Sequence, residues 1–226
     1  MSHPPNLLND DGTASMATML MLSHHAFRRD IARLMRAVDQ VKTGDLSRVD
    51  ALREEWQQSF RQALHGHHTI EDANMFPDLK SKHPDLGSAI DTLTSQHHQI
   101  DPLLEKGDVV FADLAHPELA QTLLHELHIR LQEHLAFEEE RVTPSLRDAK
   151  EFPTPADDDA ALMYAQGFAW CMQGIASQVL EQVEKLLPAS VLSRLPDARA
   201  EFELRCQRVW GTYDVSSSTV PIPLTF

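Results

Sequence analysis

Two cysteines, eight glycines and two tyrosines are all that this chain of 226 residues contains of those types. Cys171 and Cys206 are too few for a thiolate cluster or a disulfide framework, and they fit a reducing cytosol as small buried residues. Scarce glycine, beside long stretches rich in Ala, Leu, Glu, Gln and Arg, favours helix over strand throughout. Cationic residues are also in short supply. Twenty Lys and Arg face 34 Asp and Glu, a net charge of −14, which excludes nucleic acid or an anionic membrane surface as the main partner. No apolar run approaches the ~20 residues needed to span a bilayer. The opening "MSHPPNLLNDDGTAS" is polar and acidic, without the basic segment of a secretory signal. The expected location is the cytoplasm. The length suits one generous domain or a domain with an appendage.

What the chain does have is histidine: 13 residues, including the doublets His24-His25, His67-His68 and His97-His98. Four segments carry helical periodicity, and each places one histidine on an otherwise apolar stripe. The first runs Leu20, His24, Phe27, Ile31, Leu34, Val38, Val41, and Gly44-Asp45 then marks a turn. The second runs Leu52, Trp56, Phe60, Leu64, His67, Glu71, Met75. The third runs Leu86, Ile90, Leu93, His97, Ile100, Leu104, with Pro102 arguing for a kink. The fourth, entered at Pro117, runs Ala120, Leu124, Leu127, Leu131, His134, Glu138, Val142.

The halves repeat one another. "LHGHHTIEDANMFPDL" from residue 64 and "LQEHLAFEEERVTPSL" from residue 131 share Leu, His, Glu, Pro and Leu at one offset. "SHHAFR" and "QHHQID" match at an offset of 73, so the connecting segment is shorter in the second half. A duplicated helical hairpin predicts an all-α, up-down four-helix bundle.

Burying one imidazole is ordinary. Burying Glu71 and Glu138 beside His24, His67, His97 and His134, with no inward Lys or Arg at these levels, costs several kcal/mol per unpaired charge unless a metal is present. The i, i+4 spacing lets each His-Glu pair converge on one centre. If both glutamates bridge, each of two metals receives two nitrogens and two carboxylate oxygens, and an oxo or hydroxo bridge brings each to five. Nitrogen and oxygen donors without thiolate suit iron, with manganese or zinc as substitutes. No Glu-x-x-His pair, no His-Glu-x-x-His and no Gly-x-Ser-x-Gly turn supports another centre.

The pattern His24, His67-xxx-Glu71, His97, His134-xxx-Glu138, with "MFP" after the first Glu, resembles the bacterial hemerythrin-like (HHE cation-binding) family over roughly residues 16–150. The resemblance implies a four-helix bundle around a non-haem di-iron centre that handles dioxygen, nitric oxide or peroxide. It makes the six side chains the metal ligands and Glu71 and Glu138 the bridges. Oxygen-carrying hemerythrins have a second histidine one turn along the third helix, where this chain has Asp101, and their last carboxylate is spaced one residue further. Fewer nitrogens favour redox chemistry or sensing over reversible oxygen carriage. The alternative to an oxidoreductase is a non-catalytic oxygen or iron sensor signalling through its C-terminal helices.

His25, His68 and His98 fall beside the seam, as flank positions or as partners for ligating rings. Asp101 is a possible extra ligand. Asp72, Glu139 and Glu140 point sideways. The expected division is a flexible tail over residues 1–14, the bundle over 15–150, and an acidic linker with a helical extension over 151–226. The extension is read as a fifth helix from Asp158 to Leu187, two shorter helices broken at Pro188 and Pro196, and an extended or disordered "YDVSSSTVPIPLTF". It could cover the bundle, gate the metals or form a homodimer surface.

Overall fold

The computed structural model describes residues 6–211, and all regular structure among them is helical. The expectation for "YDVSSSTVPIPLTF" falls outside the described residues. The described chain divides into two compact units, one of Phe27–Val142 and one from the described parts of Met1–Ala26 and Thr143–Phe226.

Four helical stretches build the first unit. Helix α1 (Met16–Lys42) contributes its portion from Phe27 onward. It ends where Gly44 takes φ of 105°, a backbone conformation that costs glycine little. Helix α2 covers residues 49–82 and includes two π-helical turns, Trp56–Phe60 and Glu71–Met75. Helix α3 (Gly87–Val110) runs through Pro102 without ending, and α4 (Pro117–Arg141) has Pro117 in its first turn.

Side-chain pairs fix the directions of these helices. On α1 and α4, Arg28 reaches Gln132 and Glu139 while Lys42 reaches Gln121. On α2 and α3, Arg61 pairs with Asp108 while Lys80 pairs with Asp91. Both pairs of helices are therefore antiparallel, as an up-down bundle requires. The apolar stripes meet inside: Leu34, Leu64, Leu93, Leu127 and Leu131 are fully buried. Each contributes about 1.5–3 kcal/mol of transfer free energy. At the end of the bundle near the α3–α4 connection, Trp56 stacks on Phe111 at 4.5 Å between ring centroids. Its indole also lies against the backbone of Gly107, where a side chain would have no room.

In the second unit, Leu7, Ala14 and Ala17 are buried, and Thr18 Oγ1 donates to the Leu7 carbonyl at 2.6 Å. Met16 N–H donates to the Ala149 carbonyl at 2.8 Å. The C-terminal helices are α5 (Asp158–Cys171), α6 (Ser177–Glu184), α7 (Ala189–Leu192) and α8 (Leu195–Trp210). The single helix expected from Asp158 to Leu187 is thus two. The break comes at Gly174, which takes φ of 84°, and at Ala176, which is extended. Asp157 caps α5, its carboxylate accepting from Ala160 N–H at 2.8 Å. The two shorter helices expected at Pro188 and Pro196 are α7, which has Pro188 at its N-cap, and α8, which has Pro196 in its first turn, where no donor is needed. Cys171 and Cys206 are both buried. No described helix is long and apolar enough to cross a membrane.

Candidate metal centre

The centre begins on α2, which carries His67, His68 and Glu71 within five residues. Helix α3 adds His97, and α4 adds His134 and Glu138 one turn apart. All are buried except His67, which is intermediate. Two groups of donor atoms form. The ring nitrogens of His68, His97 and His134 lie within 4.8 Å of one another, as do ligand atoms of His67, Glu71 and Glu138. On α1, buried His24 precedes Phe27 by three residues, and the Phe27 ring lies 5.1 Å from that of His67.

The carboxylates sit between the groups. Glu71 Oε1 is 3.0 Å from His67 Nε2, while its Oε2 is 3.3 Å from His97 Nε2. Glu138 shares the His67 group and also lies 3.9 Å from His134 Nε2. Apolar rings close the surroundings. Phe76 stacks on His97 at 5.6 Å, and Phe27 flanks His67.

Each ring of the three-histidine group is held from behind. His68 Nδ1–H donates to Asp101 Oδ1 at 2.9 Å, and His97 Nδ1–H to Asp72 Oδ2 at 3.0 Å. His134 Nδ1–H donates to Gln96 Oε1 at 3.1 Å. Asp72 is itself held by the Thr94 hydroxyl at 2.9 Å. A carboxylate oxygen, like the amide oxygen of Gln96, can only accept, so these bonds put the proton on Nδ1 and leave Nε2 with its lone pair directed inward. That is the tautomer a metal-binding imidazole needs.

Burial dominates His68 and lowers its pKa to about 4 despite the Asp101 hydrogen bond, with nearby His97 and His67 acting in the same direction. Burial also opposes charge on His97, but hydrogen bonds and charges from Glu71 and Asp72 outweigh it and raise that pKa. Asp101, though burial works against its charge, is held below the ordinary carboxylate range by His68. A neutral His68 beside two buried carboxylates is a donor set for a divalent cation. The buried Nε2 of His68 finds no hydrogen-bond partner among the described residues, as a nitrogen reserved for a metal would. Imidazole and carboxylate without thiolate fit iron.

The hemerythrin HHE cation-binding domain model matches residues 15–146, more than half of the chain. The chain belongs to that family. Searches of curated proteins and of solved structures each gave no match. Membership in the HHE family implies cation binding, and the buried His/Glu cluster is where the chain has the donors for it.

Within this HHE domain the flank positions divide three ways. His98 is exposed. His25 is buried and its Nε2 lies 3.0 Å from the Gln173 carbonyl. His68 is 1% exposed and turned inward. The expectation of a flank position therefore fails for His25 and His68. A helix in a bundle has two neighbours, so residues 100° apart can both be buried, one against each. On α2, His67 meets α1 through Phe27 while His68 meets α3 through Asp101 and His97. Asp72, expected to point sideways, does so towards α3 and holds His97. Glu139 turns to α1 and pairs with Arg28. Gln96 carried no sequence signal, although its place immediately before His97 puts it on the α4 side of α3.

Proposed function

We propose that the chain is a non-haem di-iron protein that binds and redox-processes a small ligand: dioxygen, nitric oxide or hydrogen peroxide. Residues 15–150 form its metal-binding domain and 151–226 its extension. The ligands are His24, His67, Glu71, His97, His134 and Glu138, with Glu71 and Glu138 as bridges beside an oxo or hydroxo group. Manganese or zinc can occupy the same donors. The observation that carries this reading is Glu71, whose two oxygens face His67 on one side and His97 on the other. His24 joins the set through α1, one turn before the phenylalanine that packs on His67.

When bound, iron supplies a Lewis acid and exchangeable electrons. The chain's own residues hold the donors and exclude water. Asp72 and Gln96 keep the His97 and His134 rings in one tautomer. Phe27 and Phe76 give the site apolar walls.

Metal content and visible spectra of protein from iron-supplemented cells test the proposal, beside His67→Ala and Glu138→Ala. The expected result is about two irons per chain, with near-ultraviolet charge-transfer absorption that both substitutions abolish. Iron-free protein, indistinguishable from the variants, would overturn it. Catalytic consumption of peroxide or nitric oxide then identifies an oxidoreductase.

Stoichiometric binding with a conformational response would favour a sensor instead. One observation supports that second reading: His25, the neighbour of His24, is joined to the C-terminal region through the Gln173 carbonyl. A homodimer through the extension would use the exposed Leu162 and Met163 of α5 and Leu204 of α8. Sedimentation of the full chain tests this.

A further inference from the structure

We infer that His68 is itself a metal ligand, positioned by Asp101, and that it makes the two metal positions unequal. The inference rests on the di-iron reading and adds a residue to it. Its basis is geometric. His68 is fully enclosed, and its ring lies 4.0 Å from that of His97 and 5.5 Å from that of His134. The donor nitrogens of these three rings converge within 4.8 Å. Nδ1 is committed to Asp101, so the nitrogen that faces the group is Nε2, and it has no hydrogen-bond partner among the described residues. A buried imidazole nitrogen left so is costly unless something occupies it.

The pairing also gives the aspartate on the third helix a role: α3 supplies the carboxylate, and α2 supplies the imidazole that it holds. Asp101 lies 2.9 Å from His68 Nδ1 and accepts its proton, so it acts through the ring as a positioning residue.

The donor count then separates the two positions. One has three imidazoles, from His68, His97 and His134, with one oxygen from each bridging glutamate. The other has His24 and His67 with the remaining carboxylate oxygens. A bound metal pair would thus find more protein donors on the His68 side, and the His67 side, beside Phe27, would be the more open to a small ligand.

Mössbauer spectra of ⁵⁷Fe-loaded full-length protein test this, comparing wild type with His68→Gln, Asp101→Leu and His98→Gln. Wild type should show two inequivalent iron sites of equal area. His68→Gln should lose or alter one of them and leave the other unchanged. Asp101→Leu should weaken metal binding at that same position about 10- to 100-fold, and His98→Gln should match wild type. Both wild-type sites persisting in His68→Gln would overturn the inference while leaving the di-iron centre intact. Wild type that takes up no metal would instead defeat the di-iron reading, and this inference with it. If His68→Gln fails to fold, ¹⁵N-histidine spectra of zinc-loaded wild type decide. A metal-bound Nε2 at His68 supports the assignment, and an ordinary neutral imidazole refutes it.

Discussion

His68 and His97 stack face to face with opposite titration behaviour: burial dominates His68, which meets a carboxylate only through its back nitrogen, whereas at His97 carboxylates on both nitrogens outweigh burial. In metal-free protein, NMR titration of the ring protons should find His68 changing near pH 4 and His97 above the ordinary histidine value. The signs for stability differ. His68 is depressed in the folded state, so its contribution is present above pH ~6.5 and is lost as pH falls towards 4, by up to about 3 kcal/mol. His97 is raised, so its contribution is present at low pH and is lost as pH rises through its folded value. His68→Phe should flatten the acid limb of a denaturation series between those two pH values. An unchanged limb would show that His68 protonates freely in the fold. The outer carboxylate has its own test. Asp72→Ala removes the acceptor behind His97 and should lower metal affinity about 10- to 100-fold, read by competition with a chelator.

Helices α2 and α3 are matched at the point where α3 has least side chain. A Cβ on Gly107 would sit 1.8 Å from Cζ2 of Trp56. The tryptophan has little freedom to withdraw: it stacks on Phe111 and donates through Nε1–H to Asp108 at 3.1 Å. Gly107→Ala, which raises helix propensity on an exposed surface, should here destabilise by about 1–3 kcal/mol or more through overpacking. Urea denaturation of the metal-free variant measures it; a neutral or stabilising result would mean that the indole moves. The same element shows how far a helical wheel can be read. The apolar seam of α2 was legible because Leu52, Trp56, Phe60 and Leu64 recur at helical spacing. The inward turn of His68 was not, because a wheel drawn for one seam treats a residue 100° away as flank. Two π turns flank the doublet, at Trp56–Phe60 and Glu71–Met75, and an α-helical period does not carry through them.

For the molecule as a whole, metal binding and folding are linked, since the buried imidazoles of His68, His97 and His134 and the buried carboxylates of Glu71 and Glu138 are brought together by helices distant in sequence. Saturating iron or zinc should raise Tm, by the mass-action relation that gives about 2.7 kcal/mol at a hundredfold excess over Kd. A chelator should reverse the shift. His134→Ala should abolish the difference between the metal-loaded and metal-free states. An equal Tm with and without metal in wild type would separate the site from the stability of the bundle.

The sequence by itself determined the helical class and the duplicated hairpin and singled out the six residues proposed as ligands, because apolar spacing and the His-xxx-Glu repeat are local properties of a helix. It also placed Asp101 close enough to the site to be singled out. Only the tertiary structure decided that Asp101 serves a ring of α2, that Asp72 and Gln96 hold the other two, and that His68 and His25 are buried while His98 is exposed. Each of those depends on which neighbour a helix face meets, and periodicity within one helix carries no information about the next. The division of the expected fifth helix has a related cause. The residues around Gly174 permit a helix, but the backbone takes a left-handed turn there, and α5 and α6 bury separate apolar faces.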